Sequence, residues 1–121
     1  MLIKRLRDCL QFIAGDNSQL REIVNPHTAK VGLTYSLAWA QVLPGEQTTP
    51  HTLDCSEVYY ILKGSGVMHI DEEKRTVQRS DTIFIPPHAI QFIKNTGHQP
   101  LEFLCIVSPP WQPDKEHIIA Q

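Results

Sequence analysis

Apolar and polar residues alternate along this chain in short runs, mostly with a period of two. Segments 20–24, 34–42, 57–63, 66–70, 74–78, 82–85, 89–94 and 101–107 are rich in β-branched and aromatic residues, and each reads as a strand. Turn signals separate them: Pro44-Gly45, Gly64-Ser65-Gly66, Asp71-Glu72-Glu73, Pro86-Pro87 and Asn95-Thr96-Gly97. Short strands with no long helix between them predict an antiparallel sandwich or barrel. Near the start, Ile3, Leu6, Leu10 and Ile13 fall at helical spacing. That pattern is short, and an edge strand followed by a turn competes with a helix there. The last segment, with Pro109, Pro110 and Pro113, reads as an arm outside the core strands. The expected organisation is an N-terminal arm over 1–19, one barrel over 20–107 and a proline-rich arm over 108–121, with no internal repeat.

Size is consistent with one core. The chain has 121 residues and a mass of 13.8 kDa. Surface scaling gives about 6,600 Å² exposed when folded against about 20,000 Å² unfolded. Hydrophobic residues are 41% and charged residues 20%, a balance that excludes a disordered chain. The formal charge is −2, which argues against a nucleic-acid or membrane-surface binder. Cys9, Cys55 and Cys105 are far apart and none lies in a CxxC, so neither a disulfide framework nor a cysteine zinc site is expected. That suits a cytoplasmic location. No apolar run reaches membrane-spanning length, and the first residues do not read as a signal peptide. There is no GxxxxGK[ST] loop for phosphate.

Two stretches carry candidate chemistry. In Gly45–Gly64, His51 and Glu57 are six residues apart, an even separation that puts both on one face of an extended strand. An imidazole and a carboxylate on one face can converge on a divalent cation. In the second stretch Gln91 is a lone amide between Ile90 and Phe92, and needs a partner if buried.

These stretches resemble the two sequence motifs of the cupin superfamily. Gly45, His51, Glu57 and Gly64 match the first motif at its spacing, with Leu53 where a second His is usual. Pro86 and Asn95 match the second motif. Ser80 and His88 stand where it has Gly, and Gln91 where it has His. The resemblance covers about residues 20–107. It is nearest to small single-barrel cupins, a type sometimes labelled mannose-6-phosphate isomerase-like. It implies an all-β, double-stranded β-helix (jelly-roll) barrel with a metal inside.

Carried over by position, the metal ligands expected here are His51, Glu57 and Gln91. One nitrogen and two oxygens suit Mn, Fe, Ni or Zn. Glu57 and Tyr59 are the candidate acid–base groups, and His88, Phe103 and Cys105 are further pocket-lining candidates. The expected function is binding of a divalent metal and a small polar metabolite, with isomerase- or epimerase-type turnover. The alternative is a metal-free barrel that binds a small molecule or sugar. Placed on the motif, Ser36, Ala38 and Ala40 face inward and leave room for a ligand. Tyr35, Leu37 and Trp39 then face outward, an apolar stripe that suggests a homodimer.

Overall fold

The computed structural model describes residues 1–119, so the last two positions of the C-terminal arm, Ala120 and Gln121, lie outside the described residues. Eleven strands form two antiparallel sheets. They are β1 (Gln11–Ile13), β2 (Gln19–Val24), β3 (Ser36–Val42), β4 (His51–Leu53), β5 (Ser56–Lys63), β6 (Ser65–Ile70), β7 (Glu73–Gln78), β8 (Thr82–Ile85), β9 (Gln91–Asn95), β10 (Leu101–Ser108) and β11 (Glu116–Ile118). One sheet runs β1-β2-β3-β10-β5-β8 and the other β11-β4-β9-β6-β7. Together they form a jelly-roll β-barrel. The N-terminal segment resolves as a single 3-10 turn, Leu6–Asp8, followed by the edge strand β1.

The alternation that predicts the strands also builds the core. On β10, Leu101, Phe103, Cys105 and Val107 are buried, while the residues between them are half-exposed. The side chains of Leu101, Phe103 and Cys105 cluster with Tyr59 and Ile61 from β5, Ala40 and Val42 from β3, and Ile93 from β9. Phe103 and Ile61 are almost completely buried. Truncating a fully buried aromatic of this kind costs about 3–5 kcal/mol.

The motif positions that favour glycine have a backbone reason. Gly45 and Gly64 have φ of 81° and 87°, in the left-handed region where a Cβ is penalised. Ser80 and His88, which replace motif glycines, keep that conformation with φ of 76° and 70°. Asn95 is completely buried: its amide donates to the carbonyls of Val42 and Gln99, and its Oδ1 accepts from the Gly97 amide, which fixes the turn before β10.

The two termini close the barrel mouth. Arg21 on β2 donates to the carbonyls of Leu6, Arg7 and Cys9 and holds the N-terminal segment against the sheet. After β10 the chain crosses back: the Trp111 amide donates to Ser36 Oγ, and Asn25 Nδ2 donates to the Trp111 carbonyl, each at 2.9 Å. Trp111 packs against Leu53, Cys55 and Val107, and β11 then pairs along β4.

Candidate metal centre and acid–base site

His51 and Glu57 do not share a strand. The turn at Asp54-Cys55 sends the chain from β4 in one sheet to β5 in the other, so the two side chains approach from opposite walls. Both are buried, at 2% and 7% exposure, and both line an internal cavity of ≈ 100 Å³. Across the ladders His51 pairs with Gln91, and Glu57 with Val107 and Ile85.

One bond decides what His51 can do. Its Nδ1 lies 2.7 Å from the Thr49 carbonyl oxygen. A carbonyl only accepts, so Nδ1 carries a hydrogen, and in the neutral ring this tautomer places the lone pair on Nε2. That lone pair belongs to a cluster with two carboxylates: Nε2 is 3.9 Å from Asp16 Oδ2 and 4.0 Å from Glu116 Oε1. Donor atoms of the three residues all lie within 4.8 Å of one another. The distances exceed hydrogen-bonding range, and no Lys or Arg enters the cavity lining among the described residues.

Each carboxylate is set by its own local structure. Asp16 sits in the β1–β2 turn, where its Oδ1 accepts from the Ser18 amide at 3.0 Å and the Ser18 hydroxyl at 2.7 Å, leaving Oδ2 for His51. Its carbonyl accepts from the Thr49 amide, tying this turn to the approach to β4. Glu116 opens β11, opposite Leu53 of β4. A Cβ at Gly15 would come within 2.9 Å of Glu116 Oε2, so that glycine leaves space for the carboxylate. Burial raises the Glu116 pKa, and the Asp16 charge adds to the rise against an opposing pull from His51.

Deeper in the cavity, Glu57 Oε1 is buried and has no hydrogen-bond partner. Burial pushes its pKa from 4.5 up to about 8; the Gln91 amide opposes the rise, and Asp16 and Glu116 add to it. The Tyr59 hydroxyl donates to Gln91 Oε1 at 3.2 Å. Burial raises the Tyr59 and Cys105 pKa values well above their ordinary ranges, and the Glu57 charge reinforces both shifts.

The structure brings His51, Glu57, Tyr59, Phe103 and Cys105 to one cavity, with Gln91 behind Tyr59. His88 is elsewhere. It occupies the exposed turn before β9, where its left-handed backbone directs Nδ1 to 3.3 Å from Asp54. Leu53, at the second His position of the motif, is buried with Val107 and Trp111. Cys55 is buried in the same cluster, and burial raises its pKa.

Sequence reasoning missed Asp16 and Glu116. Asp16-Asn17-Ser18 carries an Asx-turn signature that could have drawn attention to it. Glu116 lies in a charged tail and gives no such signal.

The profile of the family described as "Cupin domain" matches residues 38–107. The chain is a cupin. This cupin is 41% identical over 109 residues to an uncharacterized protein of Methanocaldococcus jannaschii, covering 89% of this chain and 86% of that one. Solved structures share its fold at lower identity. A predicted oxalate decarboxylase from Thermotoga maritima has a TM-score of 0.78 at 21% identity, covering 89% of this cupin and 99% of that chain. The polyketide cyclase RemF from Streptomyces resistomycificus has a TM-score of 0.83 at 18% identity, covering 100% and 87%.

The cupin's own residues suit a divalent ion. An imidazole nitrogen and two carboxylate oxygens beside it form a nitrogen–oxygen donor set of the kind that Mn, Fe, Ni or Zn accepts. The Thr49 carbonyl supplies the outer hydrogen bond that metal-ligating histidines ordinarily make.

Proposed function

We propose that this cupin binds a divalent metal ion through Asp16, His51 and Glu116, takes a small polar metabolite into the adjoining cavity, and moves a proton to or from it with Glu57. The observation that carries the reading is the orphaned Glu57 Oε1: a buried carboxyl oxygen with no protein partner, held where its pKa is about 8. Leaving such a group unsatisfied costs about 1–3 kcal/mol unless something uses it. A general acid or base works best with a pKa near the operating pH.

When bound, the ion would act as a Lewis acid on a carbonyl or enediolate oxygen of the ligand. Asp16 and Glu116 supply negative charge at the mouth, and His51 supplies nitrogen in a fixed tautomer. Glu57 keeps its proton near neutral pH and can exchange it with a ligand carbon or oxygen. Gln91 and Tyr59 orient the Glu57 carboxyl from behind, while Phe103 and Ala40 keep the far wall apolar. Isomerisation, epimerisation and decarboxylation all use such a proton transfer.

The test compares metal content and turnover in wild type, His51→Ala and Glu57→Gln, prepared without chelator and measured by inductively coupled plasma mass spectrometry. Stoichiometric metal in wild type and Glu57→Gln, lost in His51→Ala, supports the ligand set. Proton exchange into a screened hydroxycarbonyl by wild type, absent with Glu57→Gln, supports the acid–base role. No metal in wild type after reconstitution would overturn the reading and leave a metal-free receptor barrel.

A further inference from the structure

One charged residue of the cavity has no part in the metal cluster or in the proton transfer. Glu22 on β2 lines the same space as His51 and Glu57. It pairs with Ala38 of β3, and the ladder shifts register immediately after it, a bulge of the kind that re-aims a side chain. The carboxylate is half-buried. Its Oε2 accepts from the Thr28 hydroxyl at 2.9 Å, and it makes no ion pair among the described residues. Arg21, its neighbour in sequence, points to the other face of the sheet. There it is committed to the carbonyls of Leu6, Arg7 and Cys9 and lies over the Trp39 ring.

The charges of the cavity leave an imbalance of one sign. A divalent ion on Asp16, His51 and Glu116 would be neutralised by its two carboxylates. Glu22 then remains as an uncompensated negative charge in a lining that has no Lys or Arg among the described residues. The walls near it are aromatic. Phe12 pairs with Leu20 across the β1–β2 ladder, on the sheet face that Glu22 shares, and is 45% exposed. Trp111 lines the same cavity, its amide bonded to Ser36 Oγ. Aromatic faces attract cations through the ring quadrupole. Independently of these charges, the unpartnered Glu57 Oε1, in a residue 7% exposed, marks the cavity as built to receive a ligand.

We propose that the ligand of this cavity is a small organic cation, a carbonyl compound bearing an ammonium group that Glu22 holds. The inference rests on the metal and Glu57 reading above and adds to it the charge of the ligand. The carbonyl end lies toward the ion and Glu57, and the ammonium end toward Glu22 and the aromatic side chains of Phe12 and Trp111. Glu22 supplies both an acceptor and a counter-charge, and the Thr28 hydroxyl acts as a positioning group for its carboxylate. The ≈ 100 Å³ volume restricts the ligand to a small molecule. A monocation brings the loaded cavity to neutrality. A neutral ligand leaves Glu22 uncompensated, and an anion adds repulsion to it.

The test uses three ligands of nearly equal size and different charge: aminoacetone, hydroxyacetone and pyruvate. Each is titrated into the manganese-loaded full chain, wild type and Glu22→Gln, by isothermal titration calorimetry at slightly acidic pH, which keeps the amine protonated. Metal content is measured on the same samples. Wild type is expected to bind aminoacetone at least tenfold more tightly than hydroxyacetone, and pyruvate most weakly. That comparison needs no variant. Glu22→Gln keeps the size of the side chain and removes its charge, and is expected to abolish the preference for aminoacetone. Equal affinities for aminoacetone and hydroxyacetone in wild type, tighter binding of pyruvate, or a preference that survives in Glu22→Gln would each overturn the inference and leave the metal and Glu57 reading standing. A wild type that holds no metal, or that binds none of the three ligands, would overturn that reading and the inference together.

Discussion

The hydroxyl of Tyr59 donates to the side-chain carbonyl of Gln91 at 3.2 Å, and this bond fixes which end of the amide faces Glu57. With Oε1 committed to Tyr59, the NH₂ end is the one left for the carboxyl, and its pull lowers the Glu57 pKa against the larger effect of burial. Gln91 therefore acts in this arrangement as a positioning residue. Glu57 is left separate from the cluster of Asp16, His51 and Glu116.

Glu57 gives the metal-free protein a characteristic pH dependence. The carboxyl titrates near 4.5 in the unfolded chain and near 8 when folded. Between these values the folded chain holds a proton that the unfolded chain has lost. Its contribution to stability therefore falls as pH rises, by about 1.4 kcal/mol per pH unit, and levels off above pH 8. Glu57→Gln should remove that slope and be the more stable protein at pH 8. Denaturant titrations of both proteins from pH 5 to 9 measure the difference, and parallel curves would refute the buried-acid assignment.

Metal affinity should depend on the residues from the two arms. Asp16→Asn and Glu116→Gln each remove a negative donor and are expected to weaken binding at least tenfold. Gln91→Ala should keep full metal stoichiometry, because its carbonyl already serves Tyr59. Competition against a chromogenic chelator reports all three. Loss of metal in Gln91→Ala would return this residue to the ligand set that its motif position implies.

Ligand selection should follow cavity charge. The lining contains Asp16, Glu22 and Glu116, with the Glu57 carboxyl protonated near neutral pH, and no Lys or Arg. A dianion would meet repulsion relieved only by the ion. The manganese-loaded protein is expected to bind a neutral hydroxyketone at least tenfold more tightly than oxalate, which is about 1.4 kcal/mol. Water-proton relaxation in the presence of each ligand makes the comparison. Tighter oxalate binding would show that the ion, and not the lining, dominates selection.

Cavity volume should be separable from metal binding. Ala38 lines the ≈ 100 Å³ space and supplies no donor atom. Ala38→Leu is expected to cost about 1–3 kcal/mol by overpacking and to abolish ligand binding, with metal content unchanged. Metal analysis beside thermal-shift ligand titration separates the two effects.

The barrel was legible because its strands alternate. β8 appears with the boundaries the pattern predicts, 82–85, and β10 extends one residue past 101–107. Strands β4 and β11 are three residues long, too short for alternation to register, and both carry site residues. For that reason Glu116 was unreadable, whereas His51 was found through its motif. The stripe at residues 35, 37 and 39, expected to face outward and exposed, is exposed only at Tyr35, while Leu37 reaches the cavity lining. Trp39 is 5% exposed because Arg21 lies over its ring and Glu102 accepts from its indole NH. Burial of that kind depends on partners distant in sequence, and no local pattern announces it.

Asp16 and Glu116 lie 100 positions apart along the chain, one in the turn between β1 and β2 and one at the start of β11. The donor set therefore comes into existence only when the β1–β2 turn and β11 have met across a finished barrel. A chain without β11 would keep Phe103 and Ile61 in its core, yet it would offer an ion only His51 and Asp16. Under the proposed ligand set, removing β11 would therefore leave the core residues in place and take away one of the three donors.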